Sequence, residues 1–278
     1  MPELPEVEVA RRSLVPHLEG REIVRVEVRA PALREPLDRE ALESLAGARV
    51  ESLGRRAKYL LIHLSEGETG DGRTLAVHLG MSGRLTVAPG DAAIEPHEHL
   101  VFHLSSGDKL RLRDPRRFGQ AFVLPTGDLA ADRRFAHLGV EPLSGGFSGE
   151  TLQRAATGRR GPVKSFLMDA TVVVGVGNIY ASEALFRAGI HPKRSVGRIS
   201  AARWERLAGA VREVLAQAIA EGGTTLLDFS DGEGRSGYFQ VSLSVYDREG
   251  EPCPRCGTPI RRIVQSNRAT YYCPGCQT

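Results

Sequence analysis

The sequence predicts an α+β chain: an N-terminal helix plus β-sandwich domain, then a helical domain that ends in a small metal-bound β-hairpin. Three observations carry that reading. The first nineteen residues show helical spacing, short alternating apolar runs continue to about residue 125, and two Cys-x-x-Cys pairs close a helix-patterned second half. At 278 residues the chain has room for two ordinary domains. With 41% apolar and 26% charged residues it has the composition of a globular protein with a real core. No apolar run approaches the roughly 18 residues that a membrane helix needs. The opening MPELPEVEVARR has no apolar h-region, so no ordinary secretory signal is expected and the expected location is the cytoplasm.

In chain order, residues 5–19 fit a first helix: Pro5 suits the first turn, Val7, Ala10, Leu14 and Leu18 recur on one face, and Gly20 closes it. Strand-sized runs follow at 23–28, 59–64, 74–79, 100–104, 109–113 and 121–124, separated by Gly, Pro and Ser. Runs of that length and spacing argue a sandwich or barrel. The predicted division is a β-sandwich domain over 1–130, a Pro/Gly/Ser-rich linker over 131–149, a helical domain over 150–240 and a four-cysteine module over 241–278. In the helical block, one helix follows Asn178 and stops at Gly189, with Pro192 just beyond. A longer one takes Ser200 as N-cap and carries Trp204, Leu207, Ala208, Val211, Leu215, Ala218 and Ile219 on one face, up to Gly222-Gly223. Residues 223–237, rich in Gly, Ser, Thr and Asp, read as an exposed loop.

The last module carries the strongest chemical signal. Cys253-Pro-Arg-Cys256 and Cys273-Pro-Gly-Cys276 each aim two thiolates from one tight knuckle, and two knuckles complete a tetrahedral zinc site. Four thiolates leave no position for water, so one zinc ion of structural type is expected. Disulfides are the alternative, disfavoured because no other cysteine and no secretion signal is present. Between the pairs, residues 259–265 and 269–272 read as two strands around a Ser266-Asn267 turn, with Arg268 beside the turn either reaching a phosphate or merely solvated. The same module holds the charge asymmetry. The formal charge is only +3, and from Arg248 onward five arginines face two glutamates, which accounts for the whole excess.

At the other end, removal of Met1 would leave Pro2 with a free secondary amine. A terminal amine has a reference pKa near 8, so a useful fraction is neutral and nucleophilic at physiological pH. Attack on a sugar C1′ by such an amine gives an iminium ion, an electron sink for elimination. Glu3 beside it suits a proton donor, and Glu6 lies one helical turn on. A frayed terminus that simply starts a helix is the plain alternative.

Four segments occur in order ahead of the cysteine module. They are Met1-Pro2-Glu3-Leu4-Pro5-Glu6-Val7-Glu8, His78-Leu79-Gly80-Met81-Ser82-Gly83, Asp114-Pro115-Arg116-Arg117-Phe118-Gly119 and Val174-Gly175-Val176-Gly177-Asn178-Ile179-Tyr180-Ala181-Ser182-Glu183. Together with the finger, this series resembles the bacterial formamidopyrimidine-DNA glycosylases over essentially the whole chain. The resemblance implies a helix–two-turn–helix domain between the sandwich and the zinc finger. It implies an activity too: excision of oxidised purines such as 8-oxoguanine and formamidopyrimidines, with β,δ-elimination at the abasic site. Pro2 is then the Schiff-base nucleophile, Glu3 the proton donor, Glu6 an organiser of the site and Lys58 a phosphate contact near the lesion. Extruding a base leaves a hole to fill, and Met81, Arg116 and Phe118 match the family's void-filling trio, though Met81 and Phe118 read blind as core and Arg116 as surface charge. Asn178 and Arg268 correspond to residues that pinch the phosphates, and Lys164 and His99 join the expected DNA contacts. The partner implied is double-stranded DNA carrying oxidised purines or abasic sites, engaged by a monomer.

One stretch departs from the family: Gly232-Glu233-Gly234-Arg235-Ser236-Gly237, in the lesion-capping loop, lacks the usual basic-proline form. Leu4 favours the purine branch over the oxidised-pyrimidine branch, which typically has glycine there. A silent zinc-finger DNA-binding protein would explain the finger, as would an RNA-binding zinc ribbon, but neither accounts for Pro2-Glu3. A second metal on His97, His99, Glu98 and His103 is discounted, since those residues sit on a loop-to-strand segment with no matching carboxylate pattern. Binding is expected to be salt-sensitive despite the small net charge.

Overall fold

The computed structural model describes residues 2–65, 72–223 and 243–278. They divide into two compact units, one holding the residues up to Ala136 together with 221–223, the other His137–Ala220 together with the residues from 243 on. Of the predicted 223–237 loop, everything from 224 on lies outside the described residues, including the atypical 232–237 stretch.

The first unit opens with helix α1 (Leu4–Leu18), whose Leu4, Val7, Ala10, Leu14 and Leu18 are buried at the predicted spacing. Eight strands follow in two antiparallel sheets. One has the order β1 (Ile23–Val28), β6 (Glu98–Leu104), β7 (Asp108–Arg113), β5 (Arg84–Pro89); the other is β2 (Val50–Arg56), β3 (Tyr59–Leu64), β4 (Arg73–His78), β8 (Gln120–Pro125). Their inner faces share one core: Val26, Leu85, Phe102 and Leu112 from the first sheet meet Leu53, Leu60, Ile62 and Val77 from the second. Alternation along each strand is what makes the two inner faces apolar, so the sandwich follows from the pattern. Helix α1 packs on β2, β3 and β5. Strands β2 and β5 were not among the runs named from sequence, and neither was the short helix α2 (Arg39–Glu43), which Asp38 caps by accepting from Ala41 N at 3.0 Å.

The second unit is helical. Ser148 accepts from Thr151 N at 3.1 Å and starts α3 (Gly149–Ala156). After the short α4 (Val163–Leu167), α5 (Asn178–Ala188) ends on Gly189, left-handed at φ +68°. Ser200 O accepts from Trp204 N at 2.9 Å and opens α6 (Ala201–Ala220), which buries the whole face read from sequence. The chain ends in the hairpin β9 (Arg261–Gln265) and β10 (Arg268–Tyr272). Its turn residues Ser266 and Asn267 both have positive φ, 48° and 58°, as a two-residue hairpin turn requires. Val245, Ile260 and Tyr271 pack with Phe186 of α5, seating the hairpin on that helix. Among the described residues no helix is long and apolar enough to cross a membrane.

Candidate active site and zinc centre

Because α1 begins at Leu4, Pro2 and Glu3 sit at the positive end of a helix dipole. Both are buried, as is Glu6. Glu6 turns back so that its Oε2 accepts from Glu3 N at 2.7 Å. That bond fixes the Glu3 backbone, and with it the direction of Pro2. Gly223 lies against the same carboxylate: a Cβ there would stand 3.3 Å from Glu6 Oε1, and its φ is +80°. One turn on, burial would raise the Glu8 carboxyl, but hydrogen bonds from Arg11 and Arg12 hold it below the ordinary value.

Lys58 stands in the two-residue turn between β2 and β3, next to Ala57, whose φ is +54°. Tyr59 pairs with His78 across the β3–β4 ladder, which brings the lysine near that imidazole. Burial, with the charges of Lys58 and Arg34, pushes His78 down to about 4. The ring is therefore neutral at physiological pH, and its Nδ1 accepts from Gly80 N at 3.0 Å, which fixes the turn that carries Met81.

Three of the predicted DNA contacts are presented to solvent on two turns of this unit. Met81 is 36% exposed and Phe118 45%, and the Arg116 guanidinium lies 4.9 Å over the Phe118 ring. Apolar side chains this exposed are not core residues, so the core reading of Met81 and Phe118 falls. His99, also expected among the DNA contacts, faces inward. It is only 4% exposed, and its Nε2 lies 2.9 Å from the Asp114 carbonyl oxygen, so it braces the Arg116 turn from inside. The ladder is irregular between Glu98 and Leu100, which lets consecutive side chains turn inward. The exposed histidine is His97, at φ +69°.

The second unit holds the remaining contacts. Asn178 is the first residue of α5, after Gly175 at φ +79°. Its Nδ2 donates to Ala269 O at 3.0 Å, and its Oδ1 accepts from Lys164 Nζ at 2.6 Å. Lys164 is 2% exposed, and its ammonium also donates to Thr270 Oγ1 at 2.7 Å and Ala269 O at 3.2 Å. A buried cation donating to Asn178, Ala269 and Thr270 fastens α4, α5 and the hairpin together. Arg268, at the base of the hairpin turn, is exposed.

Among the described residues, the four cysteines form the one group of metal-ligand type, with sulfurs all within 4.8 Å of one another. Cys253 and Cys276 sulfurs are 3.8 Å apart, and those of Cys256 and Cys273 3.5 Å. Zinc–sulfur bonds of about 2.3 Å in a tetrahedron put sulfurs about 3.8 Å apart, so the set fits one structural zinc ion. Burial and the neighbouring sulfurs push the Cys276 thiol up to about 12. Four crowded thiols resist ionising together unless a cation joins them, as the donor set demands.

Models of the formamidopyrimidine-DNA glycosylase N-terminal domain, of the H2TH domain of the same enzymes and of a zinc finger found in FPG and IleRS match residues 1–121, 138–230 and 250–278. The chain belongs to the formamidopyrimidine-DNA glycosylase family. Formamidopyrimidine-DNA glycosylases from Alkalilimnicola ehrlichii and Halorhodospira halophila are 52% and 53% identical to it, each over 100% of both chains. The fold is similar to that of the MutM (Fpg) protein of Thermus thermophilus, with TM-score 0.87, 40% identity and coverage of 99% of this chain and 98% of that one. It is also similar to Lactococcus lactis Fpg in complex with abasic-site DNA, with TM-score 0.90, 31% identity and 99% of each chain covered.

Beyond the residues expected to contact DNA or metal, this member of the glycosylase family holds a buried acid in α5. Glu183 of α5 accepts from three successive backbone N–H groups, those of Ser244, Val245 and Tyr246, each at 2.9 Å. It thereby anchors the chain where it enters the finger. An acid in the middle of an otherwise buried helical stretch, IYASEALF, is the sequence signal that marks it.

Proposed function

We propose that this chain is a bifunctional DNA glycosylase and AP lyase that removes oxidised purines, 8-oxoguanine and formamidopyrimidines, from double-stranded DNA. The observation that carries the reading is the buried Pro2-Glu3 end of α1, with Glu6 clasping Glu3 N at 2.7 Å. Once Met1 is removed, the Pro2 nitrogen attacks C1′ of the extruded nucleotide. The glycosidic bond breaks, and its electron pair leaves with the base. Glu3 protonates the deoxyribose ring oxygen, the ring opens, and loss of the proline proton leaves an iminium ion. Removal of a C2′ proton then expels the 3′ phosphate, and the second elimination expels the 5′ phosphate, leaving a one-nucleotide gap.

The other roles follow their positions. Lys58 acts beside the reacting sugar phosphate, Met81, Arg116 and Phe118 fill the hole in the stack, and Asn178 and Arg268 hold phosphate. Lys164 and His99 act as positioning residues, each through the groups it holds. Cys253, Cys256, Cys273 and Cys276 would hold the zinc ion, whose contribution is to fold the finger. The working division is a catalytic domain over 1–130, a linker over 131–149, a DNA-binding helical domain over 150–240 and the finger over 241–278, in a monomer acting in the cytoplasm on nucleoid DNA.

Borohydride trapping tests the reading. The wild-type protein is expected to form a covalent adduct with 8-oxoguanine duplex, and Pro2→Gly to nick it poorly. Efficient cleavage by protein shown by mass spectrometry to retain Met1 refutes the nucleophile, because Pro2 would then be an amide.

A further inference from the structure

The two turns that carry Met81, Arg116 and Phe118 are separated by more than thirty residues of sequence, yet one buried side chain joins them. Asp114 is 0% exposed. Its Oδ1 accepts from the Ser82 hydroxyl at 2.7 Å, and its Oδ2 accepts from Gly119 N at 2.8 Å. The same Ser82 oxygen accepts from Arg116 N at 3.2 Å. One carboxylate and one hydroxyl therefore bridge the residue after Met81, the residue after Phe118 and the backbone of Arg116. The main chains also touch: Gly80 has φ +64°, and a Cβ on it would stand 2.4 Å from the Phe118 carbonyl carbon. Asp114 O accepts from Arg117 N at 3.1 Å and meets His99 Nε2 at 2.9 Å, so the second turn is braced at its start as well. The partners of the Asp114 carboxylate are a hydroxyl and a backbone N–H of the wedge-bearing turns, and a buried polar group left without such partners is costly.

We infer that Asp114 and Ser82 are positioning residues that lock the two turns into one rigid body, so that Met81, Arg116 and Phe118 enter a duplex together. This rests on the glycosylase reading of the site. The carboxylate is required because it accepts on both oxygens. An asparagine would set an N–H₂ against either Gly119 N–H or the Ser82 hydroxyl proton. Without the lock, each wedge side chain orders separately, and the loss falls on steps that open the stack, not on the chemistry of Pro2.

The test uses zinc-loaded, full-length Asp114→Asn, Ser82→Ala and Ser82→Thr proteins on two substrates. The first is a duplex with one 8-oxoguanine and a 2-aminopurine neighbour, and the second a single strand with one abasic site, which has no hole to fill. Single-turnover base excision from the duplex, and the 2-aminopurine rise that reports unstacking, are expected to slow about 10–100-fold in Asp114→Asn and Ser82→Ala. Incision of the abasic single strand is expected to stay within about twofold of wild type, and Ser82→Thr, which keeps the hydroxyl, to recover most of the duplex rate. If Asp114→Asn does not fold, Ser82→Ala carries the same comparison. Equal loss on both substrates, or an unchanged duplex rate, overturns the lock. A wild-type protein that cleaves neither substrate overturns the glycosylase reading instead, so the two failures are distinct.

Discussion

Replacing Glu183 with alanine should unfasten the finger from the helix that supports it. The carboxylate is 1% exposed, and its two oxygens accept from Ser244, Val245 and Tyr246 N–H groups at 2.9 Å each. Each hydrogen bond to a charged acceptor is worth about 1.5–3 kcal/mol, and orphaned donors in a buried site add their own desolvation. The three are not independent, since water entering the space left by the side chain re-pairs some of them. A loss of about 3–5 kcal/mol is therefore expected for Glu183→Ala. Glu183→Gln keeps one acceptor for Val245 and Tyr246 but sets an amide N–H against Ser244 N–H, and should cost about half as much.

The protein supplies its own probe, because its single tryptophan, Trp204, is buried in the same unit beside Phe166. Urea unfolding followed by tryptophan emission reads that unit alone. With a slope of about 2 kcal/mol per molar urea, the midpoint should fall by about 2 M for alanine and about 1 M for glutamine. Abasic-duplex affinity should fall as well, while borohydride trapping at saturating DNA stays near wild type. Midpoints of both variants within about 0.3 M of wild type would refute the anchoring role.

Acid should reveal His78. An unfolded histidine titrates near 6.5, whereas burial with Lys58 and Arg34 nearby takes this one to about 4, so the folded state binds fewer protons between those values. Its contribution is fully present above about pH 6.5, declines by up to about 1.4 kcal/mol per pH unit toward pH 4 and then levels off. His78→Gln should remove about 2–3 kcal/mol of the calorimetric stability lost between pH 7 and 4; overlaid acid profiles would refute it. Chelation should release one zinc per chain and abolish duplex binding, because the finger's fold depends on its metal; apo-protein that binds like the loaded form would contradict that. Lesion-duplex affinity should fall steeply with salt, and Arg268→Gln should lower the log–log slope by about 1, as removal of one phosphate contact does. An unchanged slope would take Arg268 off the phosphate.

How far the sequence could be read depended on the range of the interaction. The sandwich and the long helices were legible because alternation and 3.6-residue spacing are local: Val7, Ala10, Leu14 and Leu18 needed no partner to announce their face. The zinc set was legible because its ligands come in two-residue spacings. The burial of Lys164 and His99 was not legible, for the opposite reason. Lys164 meets Ala269 and Thr270 more than a hundred residues away, and nothing near position 164 says that its ammonium is enclosed. His99 and His97 are two residues apart, and alternation alone would give both the same face. The irregularity between Glu98 and Leu100 separates one from the other. Glu183 and Asp114 lie within the family motifs, but most of what they hold is backbone N–H, which carries no residue-type signal at all.

Those buried acids also explain why the net charge is a poor guide to this protein. Glu6 holds Glu3 N, Asp114 holds Gly119 N and the Ser82 hydroxyl, and Glu183 holds three N–H groups at the entry to the finger. Each holds a segment that carries a proposed site residue: Pro2, Arg116 or the finger with Arg268. All three acids are buried, so they subtract from the formal total of +3 without offering carboxylate to an approaching partner. The zinc site acts in the same direction, since four thiolates with one Zn²⁺ add two negative charges and lower the finger's formal excess to about +1. Exposed arginines and interior carboxyl groups thus answer the same structural requirement. A turn that must present a cation at a fixed point needs its own N–H groups satisfied from beneath, and a carboxylate does that with two acceptors in one side chain. The near-neutral sum records this pairing of outer base with inner acid, so it understates how basic the exposed surface of these segments is.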